Sequence, residues 1–154
     1  MTAATIEHLE KIVRNYTRRL ESIPEEEYTA KADAGIWSKK EILGHLVDSA
    51  QNNIRRFIVA QYEDTPHIGY DQDKWVALSG YQHYPTADLV ALWRLLNLHI
   101  CKILAGIGPE MAMRKCAMGK DIKQYTIDWL AADYCNHLLH HLHQILRLDP
   151  IAYP

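Results

Sequence analysis

Cysteine is scarce in this chain, and its spacing does not suit cross-linking. The three residues, Cys101, Cys116 and Cys135, are an odd number with no CxxC pair, which argues against a disulfide framework and fits a reducing compartment. No apolar run approaches the roughly 20 residues a membrane span requires. The opening Met-Thr-Ala-Ala-Thr-Ile-Glu-His has no positive region followed by an apolar one, so no secretory signal is read and a cytoplasmic location is expected. Basic excess is missing too: the formal net charge is -2, and the pairs Arg18-Arg19, Lys39-Lys40 and Arg55-Arg56 are interrupted or flanked by acids. These pairs are read as solvated helix faces, and nucleic acid is not an expected partner. The chain also lacks a Gly-rich phosphate loop, a GxSxG elbow and an HExxH motif, since Leu138 follows His137. Without Glu-x-x-His pairs, a ferritin-like two-metal centre is disfavoured.

What remains is apolar and helical in pattern. At 154 residues, 48% of them hydrophobic, the chain can bury one core, and a single domain over 1–154 is expected. Glycine and proline leave four long stretches free of proline. The first runs from about Thr5 to Ser22, with Ile6, Leu9, Val13, Tyr16 and Leu20 at helical spacing, and Pro24 ends it. Glu25-Glu26-Glu27 then reads as a solvated turn. The second has the strongest start signal: Ser38 as N-cap, Glu41 as its reciprocal partner, and Trp37 with Ile42 as a staple. It should reach about Tyr62, with His45 on its second turn beside Gly44. Residues 63–85 form a long aromatic connection expected to fold over the bundle. Thr86 reads as the N-cap of a third helix, stopped at Gly106 and Gly108-Pro109. A second connection spans about Pro109 to Tyr125, with no strand-length alternation. Thr126 caps a fourth helix that ends before Pro150. The expected fold is all-α, a four-helix bundle.

Histidine is the unusual count: nine in all, four of them between 137 and 143. His137 and His141 lie one turn apart and share a face with Ile127, Leu130 and Tyr134, so both imidazoles should face the interior. Two imidazoles at i and i+4 can hold one metal ion, and His45 on the second helix is the best third ligand. Spacing alone leaves a second reading open, a hydrogen-bonded core cluster. His143 should be solvent-exposed, and His140 lies at the boundary. His8, His67, His83 and His99 have no partner at ligand spacing.

Two segments carry a resemblance. Trp37-Ser38 with Glu41-Ile-Leu-Gly-His45-Leu-Val-Asp48-Ser49, and Asp133-Tyr-Cys-Asn-His137-Leu-Leu-His-His141-Leu-His-Gln144-Ile145, resemble the signature segments of the DinB-like superfamily. The nearest branch by this resemblance is the YfiT-like metal-dependent hydrolases, and Gly69-Tyr70-Asp71 to Trp75-Val76 is similar to that branch as well. The resemblance implies a helical bundle holding a divalent metal on three histidines, which fall on His45, His137 and His141. It also implies a homodimer, and a family that includes thiol-dependent transferases and isomerases.

Three protein ligands would leave coordination positions open, as at catalytic sites. Zinc and nickel lead the candidates, with iron and manganese behind them, and a low-molecular-weight thiol could be a co-reactant. Asp48 and Asp133 could accept a ring N–H or assist proton transfer, or could equally be solvated helix carboxylates. Arg55 and Arg56 are expected to make exposed ion pairs, and Trp75, Tyr70 and Tyr81 are candidates for the pocket mouth. The leading expectation is a metal-dependent enzyme, hydrolase or thiol-dependent transferase, acting on a small molecule. A non-catalytic metal- or ligand-binding module is the alternative, and a metal-free helical interaction protein the third reading.

Overall fold

A computed structural model describes residues 3–154. Four long helices dominate it: α1 (Ala3–Glu21), α3 (Lys39–Val59), α5 (Thr86–Ala105) and α7 (Ile127–Leu146). Between them lie two short helices that precede the third long one, α2 (Glu25–Thr29) and α4 (Gln72–Ser79). A 3-10 turn (Tyr81–His83), a further short helix α6 (Pro109–Ala112) and a hairpin of β1 (Lys115–Met118) and β2 (Lys123–Thr126) complete the order. The principal helix contacts are α1 with α5, α5 with α3, α3 with α7, and α7 with α1. The four helices therefore form a closed square, with α1 and α3, successive in the chain, on a diagonal. Leu9, Leu20, Leu43, Leu46, Phe57, Leu89, Trp93, Ile100, Leu138 and Leu142 fill its centre and are fully buried.

Helix α3 begins where the sequence places it. Ser38 Oγ accepts from the Glu41 N–H at 3.1 Å, and the Ser38 N–H donates to Glu41 Oε2 at 2.8 Å, so two otherwise unpaired helix-end donors are satisfied reciprocally. Thr126 Oγ1 likewise accepts from the Trp129 N–H at the start of α7. α7 stops at Arg147, whose left-handed backbone (φ 54°) turns the chain away.

Several expectations are corrected. The acidic stretch after Pro24 is a helical turn: Glu25 pairs with Lys40, itself only 2% exposed, and Glu27 with Lys39 at 2.9 Å. Lys39-Lys40 is thus a docking point for α2. Thr86 lies inside α5, which Pro85 precedes, and its hydroxyl donates to Glu25. α3 ends at Val59, three residues before Tyr62. The second connection contains a hairpin in antiparallel register, Lys115 opposite Thr126 and Met118 opposite Lys123. The Ile68 N–H and the Ala117 carbonyl add the 66–68 segment to its edge at 2.9 Å. Four-residue strands are too short to show alternation, and they need support from neighbours to persist. None of the described helices is long and apolar enough to cross a membrane.

Candidate metal centre

Helix geometry sorts the α3 residues between two faces. His45 and Ser49 are one turn apart and face α7; Gly44 and Asp48 are also one turn apart, on the flank beside them. Tyr81 covers that flank. A Cβ on Gly44 would lie 2.1 Å from Tyr81 Cδ2, so only glycine admits the ring. The Tyr81 hydroxyl then donates to Asp48 Oδ1 at 2.5 Å. The close neighbour for which Gly44 leaves room is therefore an aromatic from the long connection.

On the other face three imidazoles meet. One ring nitrogen from each of His45, His137 and His141 lies within 4.8 Å of the others. The rings stand edge-on, with centroids 5.1 Å apart for His45–His137, 4.9 Å for His45–His141 and 4.7 Å for His137–His141. The His45 and His137 Nε2 atoms are 3.1 Å apart. Ligands about 2.0–2.1 Å from a shared ion sit roughly 3–3.5 Å from one another, so this pair has the required separation.

Two of the rings have partners for their outward nitrogens. His141 Nδ1 donates to Gln144 Oε1 at 3.0 Å, and His137 Nδ1 faces Ser49 Oγ at 3.4 Å. With its proton on Nδ1, the His141 ring directs an Nε2 lone pair at the common point, the state that metal ligation needs, and His137 does the same when its Nδ1 donates to Ser49. Burial favours neutral rings as well. Desolvation, then the neighbouring His141, lowers His45 to about 4; the same causes, with His45 added, bring His137 to about 2. His141 is lowered by desolvation against an opposing bond from Gln144. Three ring nitrogens converging within 4.8 Å can hold a divalent cation, and among the described residues no fourth His, Cys, Asp or Glu joins them.

Neither acidic candidate touches these rings. Asp48 is 1% exposed and turned towards Tyr81, because position 48 lies on the Gly44 flank. Desolvation pushes its carboxyl up to about 6, against the Tyr81 bond. Asp133 Oδ2 accepts from the Tyr153 hydroxyl at 2.7 Å. The groups that orient the rings are Ser49 and Gln144. Both stand in the quoted signature segments, one helical turn from a histidine, and that spacing was the available signal.

A chamber of about 180 Å³ opens beside the rings, lined by His45, Ser49, Asn53, Arg56, Asp133, His137 and Tyr153 among others. Arg56 departs furthest from its expected place. It is 8% exposed; its Nε donates to the Ile68 carbonyl at 3.1 Å and its Nη1 to Asn53 Oδ1 at 3.3 Å. Arg55, the preceding residue, is exposed as expected. Tyr70 lines the chamber with its ring 5.3 Å from Trp75, whereas Tyr81 is buried behind α3.

His143 also departs from its expected exposure, while His140 lies at the boundary as expected. Both are half-buried, and their Nδ1 atoms donate to the carbonyls of Ile151 at 2.6 Å and Asp149 at 2.8 Å. They hold the segment after α7 against the bundle and bring the Tyr153 ring to 5.2 Å from His137. No sequence signal marked Tyr153. The three cysteines are buried and free, away from the chamber lining.

The comparisons with known proteins bear on the fold and the family. Two curated relatives share the name "Putative metal-dependent hydrolase": OB0782 of Oceanobacillus iheyensis and YfiT of Bacillus subtilis. OB0782 is 26% identical over 93% of this chain and 81% of its own length; YfiT is 23% identical over 94% and 82%. The solved structure of Bacillus subtilis YfiT, described as an unusual four-helix bundle topology, superposes with a TM-score of 0.84 at 23% identity, covering 94% of this chain and 83% of that one. A mycothiol-dependent maleylpyruvate isomerase shares the fold at a TM-score of 0.77 and 10% identity, over 92% of this chain and 59% of its own. The family model of the DinB superfamily matches residues 8–145, and the chain belongs to that superfamily.

Proposed function

We propose that the protein is a metal-dependent enzyme acting on a small molecule, a hydrolase or a thiol-dependent transferase, with His45, His137 and His141 as the metal ligands. The observation that carries this reading is the convergence of three neutral imidazoles beside a chamber, with no fourth protein ligand among the described residues. A sealed four-ligand site would be structural; three ligands beside a chamber leave room for substrate. A divalent ion held there would supply Lewis acidity, lowering the pKa of a bound water or thiol towards neutrality.

The protein's own groups do the rest. Ser49 and Gln144 hold the His137 and His141 rings in the ligating tautomer. Tyr153, half-buried and hydrogen-bonded to Asp133, keeps its phenol proton well above the usual range, chiefly through desolvation. Together they form a pair on the chamber wall able to hold a proton at the Tyr153 hydroxyl for a substrate atom. The names of the relatives support the hydrolase branch of the reading, and the mycothiol-dependent isomerase supports the thiol branch.

The test is elemental analysis of protein purified without nickel affinity resin. About one divalent ion per chain is expected in the wild type and almost none in His137→Ala. A metal-free wild type that also fails to take up zinc, nickel, iron or manganese would refute the proposal. Metal-loaded protein offered esters and amides, and separately a thiol with an electrophile, then separates the two reaction classes.

A further inference from the structure

The Arg56 guanidinium is a buried charge that makes no salt bridge. Among the described residues no carboxylate lies within 4.0 Å of it. Its two hydrogen bonds go to neutral oxygens, the Ile68 carbonyl and the Asn53 amide. A buried cation paired only with dipoles is costly to fold around, and such groups are commonly retained where a ligand completes them. The bonds use Nε and Nη1, and neither uses Nη2.

The position of Arg56 suggests what that ligand is. With Tyr70, Gln72 and Met118 it lines both the inner chamber beside the histidines and an outer cleft of about 670 Å³. It therefore stands where the two spaces join. Helical side chains lean towards the N-terminus, so Arg56 leans back along α3 towards Asn53, Ser49 and the histidines. Ser49, which faces His137, and Arg56 are separated by seven positions, about 10 Å along the axis at 1.5 Å per residue. The reach of the arginine side chain shortens that gap to the length of a small organic molecule.

We infer that the substrate carries an anionic group, a carboxylate, that Arg56 binds while the reacting end lies at the histidine trio. The inference rests on the proposed metal centre only for which end reacts; anion capture by Arg56 is independent of it. Asp133, the acidic side chain on the inner wall, is engaged by Tyr153 and faces Arg56 from α7. It disfavours an anion placed deep in the chamber, as Asp71 and Asp73 do in the outer cleft, which leaves the Arg56 guanidinium at the junction for the carboxylate. Lys120, on the outer cleft, is the other cation nearby and serves as the control.

Succinate and its neutral diamide, succinamide, are the probes, titrated calorimetrically into metal-loaded and chelator-treated protein. The wild type should prefer succinate about ten- to a hundredfold, the usual yield of a charge-assisted hydrogen bond. A preference of at least tenfold should survive chelation. Arg56→Met should abolish it and Lys120→Ala should leave it. Equal binding of the two probes by wild type, or a preference retained in Arg56→Met or lost in Lys120→Ala, overturns the inference. Because Arg56 also ties the Ile68 carbonyl to α3, a fold-independent readout accompanies the variants. The 15N-labelled wild-type Arg56 Nε–H resonance should shift with succinate and not with succinamide; an unmoved resonance overturns the inference even if Arg56→Met does not fold. If the wild type lacks metal but keeps the Arg56-dependent preference, the proposed reaction fails and this anion site stands.

Discussion

Helix α7 carries two pairs of histidines that differ in one respect, where the ring nitrogens go. His140 and His143 give their Nδ1 protons to backbone carbonyls of the following segment, and His143 Nε2 accepts from the Tyr16 hydroxyl at 2.8 Å. His143 is thereby satisfied on both sides. His137 and His141 turn an outward nitrogen to Ser49 and Gln144 and leave Nε2 facing His45. Residue type and helix are the same for both pairs, so neither explains the difference. What separates the latch from the ligand pair is the partner of Nδ1, a backbone carbonyl of the following segment or a side chain of the bundle, and whether Nε2 meets a second imidazole.

The comparison can be broken most severely at His137. Replacing it with alanine should reduce metal content from about one per chain to near zero, whereas His143→Ala should leave stoichiometry unchanged; equal losses would erase the distinction. Chelation of the wild type should lower the melting temperature, since an ion that binds only the folded state stabilises it by mass action, and His137→Ala should be indifferent to chelator. Gln144→Ala leaves all three ligands but frees the His141 ring, and metal affinity should fall about 10- to 100-fold by competition titration. The double variant His140→Ala/His143→Ala should keep its metal while losing about 1–3 kcal/mol of stability. Faster hydrogen exchange and proteolysis at residues 148–154 would confirm the latch.

The smallest expected effect is at Asp48, behind the ligand pair. Its folded pKa, about 6, lies above the usual carboxylate value. The folded state thus holds a proton that the unfolded state releases, and stability falls as pH rises from about 4 through 6. Asp48→Asn keeps an acceptor for the Tyr81 hydroxyl and should flatten this part of the pH profile relative to wild type. A profile that the substitution leaves unchanged would show that the carboxyl is ionised throughout.

The parts legible in the sequence are those fixed by local chemistry. The Ser38–Glu41 capping box, the Thr126 cap and the 3.6-residue apolar period set α1, α3, α5 and α7 to within a few residues. The i,i+4 spacing of His137 and His141 and the position of His45 made the trio a candidate beside a hydrogen-bonded cluster, and the resemblance of the two segments implied it as the ligand set. What depends on distant packing was not legible. Arg56 resembles any surface arginine until the 66–68 segment covers it, and Lys40 does so until α2 docks. Asp48 is one residue from sharing the His45 face, and only the ring of Tyr81 over Gly44 shows which way it points. The hairpin strands have no periodicity to read, and Tyr153 joins the chamber through a segment held by two histidines whose partners are backbone atoms.

The most direct test is an anomalous diffraction map from crystals grown with zinc. A single strong peak should lie about 2.0–2.1 Å from one ring nitrogen of each of His45, His137 and His141, with the His140 and His143 Nδ1 atoms still bonded to their carbonyls. A peak at His140 or His143, or no peak between the three rings, would contradict the account.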